Sequence, residues 1–182
     1  QTETWWQQAS GKAIAGEFTG DSLAILPSLL LPWGKAKASF PDQTVLSRKT
    51  GFSRPYGTNP YVRYDDPKSK PFLYRGPEPG VELDPLERVA AITVNNHTQS
   101  FAYSQLERER VINTEIDGED IVVLWERGTS SALDSARIAE GKDVGTINAF
   151  YRGLRNSKGA QQMQNMENLM FTLQGSKIID TL

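Results

Sequence analysis

The sequence has 182 residues, of which 38% are hydrophobic and 23% are charged, and its formal net charge is -2 at pH 7. This length is sufficient for one domain with a substantial core. Both signs of charge are interspersed, which argues against binding to nucleic acid or to an anionic membrane surface. The absence of cysteine excludes a disulfide framework and a thiolate metal site.

Membrane insertion is not predicted either. The longest apolar run, residues 23–33, is about half the ~20 residues that a transmembrane helix needs. Two prolines, Pro27 and Pro32, also interrupt this run.

The first 47 residues indicate short strands and one helix. Trp33, Ala36 and Phe40 recur at helical spacing. Because proline is tolerated in a first turn, the pattern predicts a helix that begins at Pro32 and ends before Pro41. Short strands separated by glycine turns are predicted at 4–8, 13–15, 17–19, 23–26 and 44–47.

The stretch from Ser47 to Asp66 carries the strongest local constraints. Pro55 and Pro60 each remove a backbone donor, which excludes a regular helix or central strand. We therefore predict a long ordered aromatic loop of irregular conformation. We expect Phe52 and at least two of the loop's three tyrosines to be substantially buried, since aromatic packing would hold such a loop in place.

The same loop supplies the candidate ligand-binding residues. Arginine offers a rigid fork of donors and tyrosine an amphipathic wall, so their convergence would suit a small anionic or polyhydroxylated ligand. The alternative is a connection packed by its own aromatic side chains, with the arginines stacked on the rings. The candidates are Arg54, Tyr56, Tyr61, Arg63 and Tyr64.

Two hairpins are predicted in the second half. Five prolines and two glycines between residues 67 and 85 favour a crossing without regular structure. Strands at 89–94 and 99–103 then flank Asn95-Asn96, and strands at 111–116 and 120–125 flank Asp117-Gly118. Between the hairpins, Ser104 and Glu107 are a candidate capping box over one helical turn.

Together these elements predict a mainly β fold with short helices (α+β), in which antiparallel hairpins form a barrel-like or sandwich-like sheet. Further strands are expected at 148–152 and 169–173. The polar insert at 155–168 between them has no predicted conformation.

Few residues are suited to catalysis. His97 is the only histidine and lies at a hairpin tip, so a histidine relay or a multi-histidine metal cluster is not predicted. Ser130 and Ser131 lack the Gly-x-Ser-x-Gly elbow. Asp65 and Asp66 could bind a divalent cation, but adjacent carboxylates at the end of such a loop are more often solvated turn residues. We assign no catalytic residue, metal site or cofactor, and favour a chain that is not an enzyme.

Thr50 to Asp65, with the pattern T-G-F-S-R-P-Y-G-x-N-P-Y-x-x-Y-D, resembles the signature segment of the domain of unknown function 3179 family. This family is a bacterial and archaeal group without an established activity. Residues 5–16, 86–89 and 128–134 agree with the same resemblance.

The resemblance implies an extracytoplasmic protein (periplasmic, secreted or lipoprotein-anchored) with two related halves. Residues 1–182 would then be a single domain and a fragment of a larger two-repeat domain, with which the chain would make contact. Residues 1–66 would end the first repeat, 67–85 would be the proline-rich crossing, and 86–182 would start the second repeat. We further expect the strand near 169–173 to share a sheet with the strand near 4–8.

Two functions follow from these observations. The first is a non-enzymatic binding or structural module whose ligand contacts come from the aromatic loop. The alternative, implied by the resemblance, is the non-thiol part of a thiol-dependent oxidoreductase. Family members often carry Cys-Pro-x-Cys in the first half. The corresponding place in the second half here, residues 126–129, has no thiol.

Overall fold

The computed structural model describes residues 3–26, 28–77, 82–152, 170–175 and 177–180. The regular elements in these ranges are short. They are β1 (Trp5–Gln7), β2 (Lys12–Ala15), α1 (Trp33–Ser39), β3 (Val89–Val94), β4 (His97–Ala102), α2 (Tyr103–Glu109), β5 (Val111–Ile116), β6 (Glu119–Glu126), a 3-10 turn (Ile138–Glu140), β7 (Thr146–Tyr151), β8 (Phe171–Gln174) and β9 (Lys177–Asp180).

The prediction of a mainly β fold built from antiparallel hairpins is confirmed. β1 pairs with β2, β3 with β4, and β8 with β9, while β5, β6 and β7 form a three-stranded sheet. Within the described ranges these sheets do not close into a barrel, so the barrel-like alternative is wrong. A sandwich-like arrangement stays a prediction.

Both hairpins of the second half form where turn residues predicted them. Asp117 and Gly118 have φ values of 50° and 76°, as a two-residue turn with two left-handed positions requires. Asn95 likewise has a φ of 52°. The first hairpin closes more tightly than expected, since β4 pairs from His97 and not from Gln99.

The core lies on one face of the three-stranded sheet. β6 is its central strand, and alternate residues Ile121, Val123 and Trp125 are buried together. Leu106 of α2, fully buried, packs against them. The remaining buried members of this cluster are Val94, Phe101 and Ile116, so the first hairpin and α2 cover this face of the sheet.

The helix predicted after Pro32 is confirmed as α1, which ends at Ser39, with Phe40 as its C-cap residue just before Pro41. None of its side chains is buried. It is joined to the sheet by an ion pair of 2.5 Å between Lys35 Nζ and Glu126 Oε2. The preceding segment is attached to β7, because the Leu30 N–H donates to Asn148 Oδ1 (3.0 Å) and Asn148 Nδ2 donates to the Leu30 carbonyl (2.9 Å).

Strands expected at 17–19, 23–26 and 44–47 are absent from the described residues. Residues 17–20 instead form turns, in which the Thr19 N–H donates to the Gly16 carbonyl and the Asp21 N–H to the Phe18 carbonyl. Ser22 makes an isolated bridge with Lys12. Residues 17–20 therefore form turns and do not extend as a strand.

The predicted capping box is also wrong. α2 begins at Tyr103, so Ser104 lies inside the helix, and the N-cap residue, Ala102, has no side chain that could cap it. The Ser104 N–H donates instead to Glu87 Oε1, at 3.0 Å. Glu87, which precedes β3, thus accepts the hydrogen bond that the capping box would have assigned to Glu107.

The expectation that the strand near 169–173 shares a sheet with the strand near 4–8 is wrong as well, because β8 and β1 belong to separate two-stranded sheets. β8 turns at Gly175, where φ is 62°, and pairs with β9. β8 is also fixed to β5 by Asn113, whose Nδ2 donates to the Phe171 carbonyl (2.8 Å) and whose Oδ1 accepts from the Phe171 N–H (3.0 Å). The 155–168 insert lies outside the described residues.

Gly145 should be intolerant of any side chain. It has a φ of +69°, and an added Cβ would overlap the indole of Trp125. We expect Gly145→Ala to lower the free energy of unfolding by about 2–4 kcal/mol, because overpacking and left-handed strain add. Urea unfolding followed by circular dichroism measures this.

Gly118→Ala is the matched control for that substitution. Gly118 has a similar φ of +76°, but open space surrounds the position of its Cβ. Only the backbone strain then applies, so we expect Gly118→Ala to lower the free energy of unfolding by about 1 kcal/mol. Equal losses in the two variants would show that Trp125 is not packed against Gly145.

Candidate functional site

The loop of residues 47–66, named here the signature loop, contains neither helix nor extended strand. Its predicted irregular conformation is therefore confirmed. It is held against the facing loop, residues 127–145, which connects β6 to β7. Backbone hydrogen bonds join the two loops: Asn59 N to Ala136 O (2.8 Å), Arg63 N to Asp134 O (2.9 Å), Tyr64 N to Leu133 O (3.0 Å) and Ile138 N to Gly57 O (3.0 Å).

Asn59 reinforces this contact from a buried position. Its Nδ2 donates to the Ser135 carbonyl at 3.2 Å, while its Oδ1 accepts the Tyr61 N–H at 2.8 Å. The Asn59 side chain thereby holds the turn around Pro60 and also attaches this turn to the facing loop.

The expectation that aromatic burial holds the signature loop is wrong. Phe52, Tyr56 and Tyr61 are 71%, 44% and 53% exposed, and only Tyr64 is half-buried. Tyr61 instead contacts other rings near the surface, with centroids 6.2 Å from Tyr64 and 6.4 Å from Phe72. Backbone and amide hydrogen bonds, and not buried rings, hold the loop.

Where the signature loop ends, a cavity of about 590 Å³ opens between it, the facing loop and α2. We name it the loop cavity. Its volume is in the range of small-molecule sites. It is lined by Tyr64, Asp65, Pro67, Pro85, Leu86, Glu87, Arg88, Tyr103, Ser104, Glu107, Leu133, Lys142, Asp143 and Val144.

Asp65 is the most unusual residue of the loop cavity, because its side chain is only 5% exposed. Its Oδ1 lies 3.4 Å from Lys142 Nζ. Its Oδ2 is buried and accepts no hydrogen bond from the described part of the chain. A buried carboxylate normally accepts several hydrogen bonds, so this group is short of donors.

The lining of the loop cavity also contains a phenol beside a cation. The Arg88 guanidinium lies 5.4 Å from the centroid of the Tyr103 ring. Burial raises the pKa of Tyr103 above its ordinary value, against the smaller opposing effect of the Arg88 charge. Tyr103 is therefore neutral at physiological pH and retains its hydroxyl as a donor.

Asp143 organises the facing loop. Burial acts to raise the pKa of Asp143, but hydrogen bonds from the backbone N–H groups of Gly128, Gly145 and Thr129, with the Arg127 charge, give a net lowering. These three bonds are 2.9–3.1 Å long. The Asp143 carboxylate is therefore hydrogen-bonded to the backbone of the facing loop, which also carries Lys142.

The structure brings only one predicted site residue into the loop cavity, namely Tyr64. The other four, Arg54, Tyr56, Tyr61 and Arg63, are exposed and lie outside its lining. The Tyr56 hydroxyl bonds to Thr50 Oγ1 at 2.6 Å. Arg63 has a φ of 65° and contributes its backbone N–H to the facing loop. A binding role for these residues stays a prediction.

Sequence reasoning missed most of the cavity wall. Asp65 was expected to be a solvated turn residue rather than a cation ligand, and the expectation of solvation is wrong because its side chain is only 5% exposed. Glu87, Tyr103 and Lys142 were not predicted. These residues are far apart in the chain, and no local pattern joins them. The one usable signal was the Tyr64-Asp65 pair at the end of the signature motif.

Fold and site together define a mainly antiparallel β domain with a cavity formed where two long loops meet. The chain belongs to the family described as "Protein of unknown function (DUF3179)", whose model matches residues 1–179. No curated protein and no solved structure matches the chain. Among the described residues, no helix has the length and apolar character to span a membrane, and no group of three or more His, Cys, Asp or Glu side chains has metal-binding geometry.

The lowered pKa of Asp143 predicts a loss of stability in acid. A depressed folded-state pKa stabilises the fold above the ordinary value of about 3.9 and loses that contribution as pH falls through the folded-state value. Asp143→Asn retains an acceptor oxygen but does not titrate. Its urea midpoint should therefore change less than that of the wild type below about pH 4.

The matched control is Asp42→Asn, which alters an exposed carboxylate outside the facing loop. It should follow the wild-type acid profile. Identical profiles for Asp143→Asn and the wild type would mean that the three backbone bonds to Asp143 are not formed in solution.

Proposed function

We propose that this chain is a non-enzymatic, β-rich binding module and that the loop cavity takes a small, uncharged polyhydroxylated ligand of the saccharide class. The single observation that carries the proposal is Asp65, a cavity-lining carboxylate that is almost wholly buried and whose Oδ2 accepts no hydrogen bond from the described part of the chain. A ligand hydroxyl would supply a donor.

The charges around the cavity favour hydroxyl groups over an anion. Asp65 stands beside Lys142, and the carboxylates of Glu87 and Glu107 share the lining with Arg88. A hydroxyl both donates and accepts, so it can bridge neighbouring groups of opposite sign. An anion would meet more carboxylates than cations, because Asp143 also lines this cavity.

The tyrosines support the same ligand class. Tyr64 and Tyr103 both line the cavity, and each offers an apolar ring with a polar hydroxyl. Such a wall suits a molecule that has C–H faces and hydroxyl edges. The anionic ligand expected at Arg54 and Arg63 would occupy a different surface, so the two proposals can be separated by mutation.

The extracytoplasmic location and the two-repeat organisation also remain proposals drawn from the family resemblance. The thiol-dependent alternative would require thiols from elsewhere, since the sequence has no cysteine. The loop-cavity proposal depends on none of these points.

The test is a screen of neutral mono- and oligosaccharides by saturation-transfer NMR, followed by calorimetry on each hit. Asp65→Asn replaces a charged acceptor by an isosteric neutral one. It should lower affinity roughly tenfold or more, because a hydrogen bond to a charged group contributes about 1.5–3 kcal/mol.

Two controls make the test specific. Asp66→Asn removes the exposed neighbouring carboxylate, and Arg54→Ala alters the outer part of the signature loop; neither residue lines the cavity. Both should leave affinity unchanged. Absence of any saccharide binding, or weakening by Arg54→Ala with no effect of Asp65→Asn, would contradict the proposal.

A further inference from the structure

β7 forms one edge of the three-stranded sheet, and its outer side has no strand partner among the described residues. The Arg152 N–H donates to the Asp120 carbonyl directly opposite, so alternate residues such as Phe150 direct their backbone groups towards β6. Ile147 and Ala149 therefore direct theirs outward. Within the described ranges, no hydrogen bond reaches the outward backbone groups of these two residues.

The segment before α1 lies near β7 but does not pair with this edge. Its contacts run through the side chains of Thr146 and Asn148, which bond to the backbone of Leu30. No backbone hydrogen bond joins Leu30 to β7. The outward N–H and C=O groups of the strand are left without a partner by this segment.

The edge also lacks the features that normally prevent strand addition. Soluble proteins protect their free edges with charged side chains, proline or β-bulges. The β7 sequence, Thr-Ile-Asn-Ala-Phe-Tyr, has no charge and no proline, and its register with β6 is regular. Phe150 and Tyr151 are 43% and 53% exposed. An uncharged, regular edge with exposed rings favours the addition of another strand.

A cleft of about 110 Å³, named here the edge cleft, lies beside this part of β7. Its walls come from residues 92–94 of β3 and 149–151 of β7, together with Ile121 of β6. Val94 and Ile121 belong to the buried core cluster, so the cleft reaches the core. The volume is well below the roughly 300–1,000 Å³ of small-molecule sites and suits a single aliphatic side chain.

We propose that β7 is a docking edge for an extended segment of a partner protein, which adds to the sheet as a further strand. The partner's backbone pairs with the outward groups of Ile147 and Ala149, and one aliphatic side chain of the partner enters the edge cleft. A strand supplies donors and acceptors at the spacing that this edge requires. The site is separate from the loop cavity and does not depend on the saccharide proposal.

The test uses a fluorescein-labelled synthetic peptide, Lys-Thr-Val-Thr-Leu-Thr-Val-Thr-Lys, and measures its binding by fluorescence anisotropy. One control peptide has aspartate in place of the central leucine. It should bind roughly tenfold or more weakly, because its charge would be buried in the apolar cleft. A second control has an N-methylated backbone, which keeps the side chains but removes the donors, and should not bind. Absence of binding by the leucine peptide, or equal binding by either control, would overturn the proposal.

A proline variant tests the backbone of the edge itself. Ala149→Pro removes an outward N–H and leaves the hydrogen bonds to β6 in place, as proline in an edge strand can do. It should weaken the leucine peptide roughly fivefold or more, because an intermolecular hydrogen bond is lost. Circular dichroism should show an unchanged fold. Undiminished binding would overturn the proposal.

Ser100→Pro is the matched control on β4. The Tyr103 N–H donates to the Arg88 carbonyl opposite, so by the same alternation the Ser100 N–H points away from β3. Ser100 is exposed and lies outside the edge cleft. This variant should bind the leucine peptide as the wild type does. Equal weakening by Ser100→Pro and Ala149→Pro would overturn the proposal.

A further variant leaves every backbone donor in place. Ala149→Leu fills the edge cleft from β7 and should weaken the leucine peptide roughly tenfold, whereas full retention of binding would overturn the proposal. Sedimentation velocity tests the other occupant, a second copy of this chain. The wild type should sediment as a monomer. A dimer that Ala149→Pro dissociates would assign the edge to a second copy and overturn the proposal.

Discussion

The arrangement of both long loops depends on one constraint: the signature loop, interrupted by Pro55 and Pro60, must satisfy its backbone donors without a helix or a strand. The signature loop does so against another irregular loop, through Asn59, Arg63 and Tyr64 N–H groups that donate to carbonyls at residues 133–136. Each such bond contributes only about 1 kcal/mol net, yet an unmet buried donor costs more. The pairing therefore fixes both loops together and places Asp65 opposite Lys142.

At two other places, asparagine side chains bind the backbone of a neighbouring segment that does not pair with the sheet. Asn113 on β5 and Asn148 on β7 each donate to and accept from one neighbouring backbone residue, as a strand partner would. In this way the two outer strands of the sheet hold Phe171 and Leu30. The amide acts as a substitute for a peptide group where the neighbouring segment does not pair with that strand of the sheet.

The sequence correctly predicted those turns and helix ends whose conformation depends on a few neighbouring residues. Asp117-Gly118 closed its hairpin because two left-handed positions need such residues, and Pro32 opened its helix. The predictions failed where contacts between residues distant in the sequence determine the structure. Phe52 was expected inside because it is aromatic, but backbone pairing already holds its loop. The loop cavity could not be predicted at all, since Asp65, Glu87, Tyr103 and Lys142 meet only through the tertiary fold.

If a saccharide binds in the cavity between the loops, and not on the exposed part of the signature loop, the backbone amides around that cavity must respond. Amide chemical-shift mapping during a saccharide titration measures this directly. We expect the largest shifts at Asp65, Glu87, Ser104 and Lys142, which come from four separate segments around one cavity. Shifts confined to residues 52–63, with Lys142 and Ser104 unchanged, would contradict it.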